Sequence, residues 1–193
     1  MEFSSAKDQV TATLVTRPGL GETVGAGGVY TVTCVGADGV EKWADTFHNL
    51  VVNQGIANMN NVYFAGSTVT NPWYLGLVTG PGSGTTFSAT DTLASHGATG
   101  SGGWTENTAY TGTRKAVTFG SASSVNPSVI DNQASPSSFA MSGTATIAGA
   151  FLCSVASGTA GILFSAGDFI AGDKSVANGD TLNVTYSFSL TAT

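Results

Sequence analysis

A chain of 193 residues with 41% hydrophobic side chains can bury one substantial core, which excludes a disordered protein. Charged residues make up only 9%, against roughly 25% in an average soluble protein, so Ser, Thr and Asn supply the polar surface, the palette of β-rich extracellular or virion proteins. The net charge is −6 and Arg114-Lys115 is the one basic pair, so nucleic acid finds no electrostatic footprint.

Residues 1–27 read as an N-terminal arm or linker, with the body of the protein in 28–193. Val10, Ala12, Leu14 and Thr16 alternate as one short strand, whereas Arg17-Pro18-Gly19-Leu20-Gly21 and Gly25-Ala26-Gly27-Gly28 carry linker chemistry. Such an arm is expected to order only on a neighbour, which makes Val10 and Leu14 candidate partner contacts. The arm has no apolar leader-like stretch, and no run in the chain approaches the ~18 apolar residues of a membrane span, so neither classical secretion nor a membrane partner is expected.

From Gly28 to Val52 the pattern is a hairpin. Tyr30, Val32 and Cys34 face one way, Asp38-Gly39 suits a tight turn, and Trp43, Asp45 and Phe47 alternate on the return. Asn53 to Phe64 is the one helical candidate, with Ile56, Met59 and Tyr63 at spacings of three and four and Asn53 as its cap. Pro72 to Thr79, with Trp73-Tyr74-Leu75-Gly76-Leu77-Val78, is apolar on both faces, which predicts a central strand. Gly80 to Gly103, rich in Gly, Ser and Thr, reads as a long loop of the kind that makes contacts.

Strands resume near Lys115 to Phe119, Val129 to Gln133 and Ser138 to Met141, then in Thr144 to Val155 and Gly161 to Ile170. Asp173 to Asp180 is a polar connection. In the last strand Leu182, Val184, Tyr186, Phe188 and Leu190 alternate without a fault with Asn183, Thr185, Ser187, Ser189 and Thr191. One dry face and one wet face call for a second layer. Roughly eight to ten strands at this spacing predict an all-β protein, an antiparallel β-sandwich of jelly-roll-like type with one short helix and an N-terminal arm.

Chemistry is sparse. Cys34 and Cys153 both lie in apolar strand-like runs and are expected to be buried free thiols. His48 reads as an ordinary half-buried residue. Asp91, Ser95 and His96 have the residue types of a hydrolytic set, but adjacency in sequence is not the convergence such a set requires. Asp168, Asp173 and Asp180 lack the spacing of a calcium loop and read as turn residues. No catalytic, cofactor-binding or metal-binding set is therefore expected. Trp104 and Tyr110, beside the long loop, are candidates either to cap the core or to anchor a partner.

Several stretches together carry a resemblance. They are Gly28-Val29-Tyr30-Thr31-Val32-Thr33-Cys34 with its Ala37-Asp38-Gly39 turn, Phe47-His48-Asn49-Leu50-Val51-Val52-Asn53-Gln54-Gly55, and Trp73-Tyr74-Leu75-Gly76-Leu77. Asp91-Thr92-Leu93-Ala94-Ser95-His96, Gly103-Trp104-Thr105-Glu106, and the ending from Ser175 to Tyr186 complete them. In this combination the chain resembles a family of small structural proteins of tailed bacteriophages; residues 1–27 fall outside the match. The resemblance implies a non-enzymatic capsid decoration or cement protein without cofactors. It would be made in the host bacterial cytoplasm and seated as a homotrimer on the outer surface of the capsid, with the major capsid protein as partner. Family members also occur in tail or fibre positions, and a carbohydrate-binding β-sandwich is the reading from a different class.

Overall fold

The computed structural model describes residues 24–80, 87–96 and 104–192. Its first sheet grows from the alternating terminal strand β12 (Thr181–Ala192), whose Leu182, Val184 and Tyr186 are fully buried. Strand β1 (Val24–Val35) runs antiparallel beside it over its whole length, from Val24 opposite Ala192 to Val35 opposite Thr181. Gly25 to Gly28, expected as linker, are therefore strand residues. An extended pairing accepts glycine when the neighbouring strand supplies the hydrogen bonds, and at Gly28 a side chain would collide with the Tyr186 ring. Strand β2 (Glu41–His48) folds back on β1 through the expected turn: Gly39 has φ of 80° and the Asp38 carboxylate accepts the Val40 N–H at 3.0 Å.

The far edge of β12 is shared. β7 (Ser128–Asp131) pairs with Ser187 to Leu190, and β8 (Ser137–Ala140) pairs with Thr181 to Val184. Asn132 closes the gap between them. Its side-chain oxygen accepts the Tyr186 N–H at 2.7 Å, and its amide donates to the Val184 carbonyl at 3.3 Å. A buried side chain thus stands in for the missing ladder bonds.

The second sheet follows the order β3 (Leu50–Val51), β10 (Leu163–Asp168), β9 (Ala145–Cys153), β4 (Tyr74–Thr79). Beyond β4 lie the short β5 (Glu106–Asn107) and β6 (Lys115–Ala116), and β11 (Lys174–Val176) continues the β10 edge of β9. All pairings are antiparallel. The two sheets form a sandwich, with Tyr30, Val32, Phe47, Phe139, Val184 and Tyr186 of the first meeting Leu75, Leu77, Ile147, Leu152 and Phe164 of the second. β4 is central, as its doubly apolar pattern predicts. Its outer face, with Phe151, Ala148 and Leu163, is covered by Leu93 and Trp104. Twelve strands occur among the described residues, more than the eight to ten expected, because two- and three-residue pieces such as β3, β5, β6 and β11 carry no periodicity of their own. β11 lies inside the expected polar connection.

Helix α1 (Asn53–Phe64) has the predicted bounds but presents a different face. The cap position is Val52, without a side-chain cap bond, and Asn53 is the first helical residue. The side against β10 is Gly55, where any side chain would strike the Phe164 backbone, together with half-buried Met59 and Val62. Gln54 Oε1 accepts the Leu163 N–H at 3.1 Å. Of the three apolar residues at helical spacing, Ile56 and Tyr63 point out and Met59 is half-buried, because the glycine fixes which side can approach the sheet closely.

Replacing Asn132 by Ala leaves the Tyr186 N–H buried without a partner and takes one donor from the Val184 carbonyl, which keeps its place in the ladder opposite Ser137. We expect Asn132→Ala to lower unfolding stability by about 1–3 kcal/mol in urea titration, and the adjacent exposed Gln133→Ala to change it by less than about 0.5 kcal/mol.

Candidate functional site

The few ionisable side chains come first, since catalysis or metal binding would need them. Asp91, just before α2 (Leu93–His96), and His96, its last residue, do come together: His96 Nε2 lies 3.0 Å from Asp91 Oδ1. The other ring nitrogen, Nδ1, faces the Trp104 carbonyl at 3.3 Å, and the ring stacks on the Trp104 indole with centroids 4.7 Å apart. Asp91 also accepts the Trp104 indole N–H at 3.2 Å and the Ser88 N–H at 2.9 Å. Both imidazole nitrogens are thus held against acceptors, and neither is turned toward a hydroxyl. Ser95 bonds within its own turn to Thr92 at 3.0 Å. The residue types of a nucleophile, base and orienter are present, but the geometry is that of a pin holding residues 88–96 and Trp104 onto the second sheet.

Glu106 and Arg114 form a second buried pair. The guanidinium donates from Nε at 2.8 Å and Nη2 at 2.6 Å to the two carboxylate oxygens, and from Nη1 to the Val155 carbonyl at 3.1 Å. It also lies 5.2 Å from the Phe151 ring centroid. Bidentate contact and stacking satisfy the charge where water is excluded. Nothing in the sequence beyond Arg114-Lys115 pointed to this pair, because its partner is eight residues away across two strand pieces.

The three aspartates weighed as calcium ligands do not converge, and among the described residues no group of three His, Cys, Asp or Glu side chains could hold a metal ion. Asp168 and Asp173 are exposed, whereas Asp180 is buried under Lys42. Its carboxylate accepts Lys42 Nζ at 2.7 Å, the Ala177 N–H at 2.8 Å and the Cys34 thiol at 3.8 Å. The Lys42 hydrogen bond, ahead of the Ala177 N–H, holds the Asp180 carboxyl below its ordinary value, and burial followed by Asp180 itself pushes the Cys34 thiol up to about 11. Cys34 and Cys153 are both free and buried, as expected. His48 is exposed, against the half-buried position expected, because it sits on the outward face at the end of β2.

Trp104 and Tyr110 are only 4% and 5% exposed. Trp104 packs on Phe151, and Tyr110 meets Phe139 edge-on while its hydroxyl donates to Glu106 at 3.3 Å. Of the two expectations for these rings, capping the core matches their burial; neither offers a face to a partner. Val10 and Leu14 lie outside the described residues.

The surface with binding character is one that periodicity did not single out. At the α1 end of the sandwich the sheets part into a cleft of about 360 Å³, walled by Met59, Val62 and Tyr63 of α1, by Trp73, Leu152 and Phe164, and by Ile130, Tyr186 and Phe188 of the first sheet. Tyr63 and Val69 on its wall are exposed, Tyr63 to 85%, and Phe64 next to Tyr63 is 86% exposed, the two ring centroids 6.2 Å apart. Neighbouring residues on a helix point about 100° apart, so packing α1 against its own sheet does not bury both rings; Tyr63-Phe64 was the available signal in the sequence.

Compared with known protein families, curated proteins and solved structures, the chain matches none.

The lowered Asp180 carboxyl sets a pH dependence. Between its folded value and its ordinary one near 3.8, the unfolded chain binds the extra proton. This contribution to stability is therefore complete above the ordinary value and is lost as pH falls through the folded value. Asp180→Asn is expected to lower the melting temperature at neutral pH and to flatten its decline below about pH 4, measured by calorimetry across that range.

Proposed function

We propose that the chain is a non-enzymatic structural protein of a bacteriophage virion, a capsid decoration protein that binds the outer shell as a homotrimer and stabilises the head. The virion assignment rests on the sequence resemblance and on a low-charge β-sandwich body. The observation that carries the binding reading is the exposed Tyr63 and Val69 on the wall of an apolar cleft, with the exposed Phe64 ring next to Tyr63. Contiguous uncovered aromatics of this kind mark protein contacts, and aromatic rings are common anchors there. The buried charged groups support it by their engagements, since Asp91, His96, Glu106, Arg114 and Asp180 all hold the fold together. The major capsid protein is the partner this reading names. A shell under pressure from packaged DNA gains from clamps between adjacent subunits, and many modest contacts sum through avidity.

The test is binding of purified protein to shells lacking it, and survival of the particles under heat and osmotic shock. The double variant Tyr63→Ser, Phe64→Ser is expected to keep stability within about 0.5 kcal/mol, since both rings are already in solvent. Its shell binding should fall at least about tenfold, because both anchor rings are lost. Equal binding by the variant would remove the aromatic pair as anchor. Particles without the protein that withstand shock as well as complete ones would remove the cementing role, and labelled antibody at the tail would relocate the protein there.

A further inference from the structure

The first sheet is longer than its cover. In the β1–β12 register, Tyr186 stands opposite Tyr30, Phe188 opposite Gly28 and Leu190 opposite Ala26, with Val24 one step further along the same face. Exposure climbs along this row: 0% at Tyr186, partly buried at Phe188, 38% at Leu190 and 70% at Val24. The inward face thus runs out past the second sheet as an apolar ledge.

The same stretch has an open backbone edge. β2 pairs with β1 only from Val29 to Val35, and the Asn49 N–H caps the Gly28 carbonyl at 3.0 Å. Successive residues of an antiparallel strand send their N–H and C=O to alternate sides. Gly28 bonds toward the β2 side, so Ala26 and Val24 direct their polar groups that way too, past the end of β2. No described strand meets them there. An unpaired edge beside an uncovered apolar face is a template for one more strand.

We propose that this edge and ledge are the seat of the 10–16 segment of the same chain, which adds as an antiparallel strand through residues 11–14 beside residues 24–27. The 23 residues ahead of Val24 join the fold at this place. Arg17-Pro18-Gly19-Leu20-Gly21 has the chemistry to reverse the chain just before β1. Residues directly opposite across an antiparallel pair share a face, so a register of even against even, such as Ala12 opposite Ala26, lays Ala12 and Leu14 on the ledge opposite Ala26 and Val24, with Val10 on the same face at the end of the pairing. Thr11 and Thr13 then take the polar face. A connection this short holds the segment at an effective concentration of about millimolar, which favours the chain's own arm over that of another copy. The inference stands apart from the proposed function, for it needs neither a shell nor an oligomer.

Amide hydrogen exchange of the full chain, followed by NMR at two protein concentrations, tests it. The Ala26 N–H is expected to exchange at least about tenfold more slowly in the wild type than in the full-chain variant Thr13→Pro, Leu14→Asp. The Val184 amide, inside the sandwich, should be equally protected in both, which shows that the variant folds. Slow Ala26 exchange that does not change on dilution supports the proposal. Equal Ala26 exchange in the two proteins overturns it. So does protection that disappears on dilution together with an oligomer, since the occupant would then be the arm of another copy.

Discussion

The unbroken pairing of β1 with β12 is the constraint on which the rest of the fold depends. It joins two strands separated by nearly the whole described chain, twelve pairs from Val24–Ala192 to Val35–Thr181. Each strand contributes a buried row, and those rows form one wall of the sandwich core. β2 needs β1 as its partner, and β7 and β8 need β12. The partners are so far apart in sequence that loop-closure entropy must be met before the contacts reward it. The aromatic residues then fasten this wall to the second sheet. The Tyr30 and Tyr186 rings lie 4.7 Å apart, the Tyr30 hydroxyl is 2.8 Å from Ser165 Oγ, and Asn49 donates to the Tyr186 hydroxyl at 2.8 Å. Burial pushes both phenols up from their ordinary value, so they stay neutral hydrogen-bonding groups between the sheets.

The second sheet has a different problem, since both of its faces are apolar. One is covered by the first sheet. The other is covered by residues 87–96 and Trp104, which have little secondary structure to hold them in place. Buried polar pins do so instead. Asp91 gathers the His96 ring, the Trp104 indole and the Ser88 N–H, and Arg114 ties Glu106 to Val155. Removing one partner of such a pair leaves an uncompensated buried charge, so the pairs enforce one arrangement of an otherwise irregular cover even where their net stabilisation is small. The scarcity of charge in this protein and the placement of much of it inside are therefore connected: the charges present hold loops onto a sheet.

The long alternating strands were legible in the sequence because period two carries its own evidence: β12 falls where the alternation put it, β1 and β2 do so over residues 30–34 and 43–47, and β4 is central as its doubly apolar run implied. Leu50 and Val51, read as the end of the hairpin, belong instead to the second sheet. The two-residue strands were not legible, since two residues have no period and exist only by pairing with β10 or β4. The helix bounds were readable and the helix face was not. Ile56, Met59 and Tyr63 fit a stripe, but Gly55 decides the packing through what it lacks, and a hydrophobic count gives glycine no weight. Asp91 and His96 looked like chemistry and turned out to be a pin. Residue type shows which bonds a side chain can make, and only the fold shows which acceptors it meets. The uncovered end of β12 was misread for a related reason. The alternation of Phe188 and Leu190 is as regular as that of Val184 and Tyr186, and periodicity cannot reveal where the opposing sheet stops.

That last point bears on how such a protein binds anything. Burying a large aromatic side chain contributes roughly 1.5–3 kcal/mol, so full cover of Tyr63 and Phe64 would supply about 3–6 kcal/mol. Association of two free molecules costs about 4–15 kcal/mol in lost motion and ordering before any affinity appears. One copy of this rim is therefore too small to hold a partner by itself, and a net charge of −6 offers little steering toward an acidic surface. Such a contact becomes useful when several copies act together, because the motion is lost once and each additional rim then adds nearly its full contribution. In the reading proposed above, repetition of copies supplies what one exposed apolar rim lacks, and specificity comes from the spacing of copies more than from the depth of any one site.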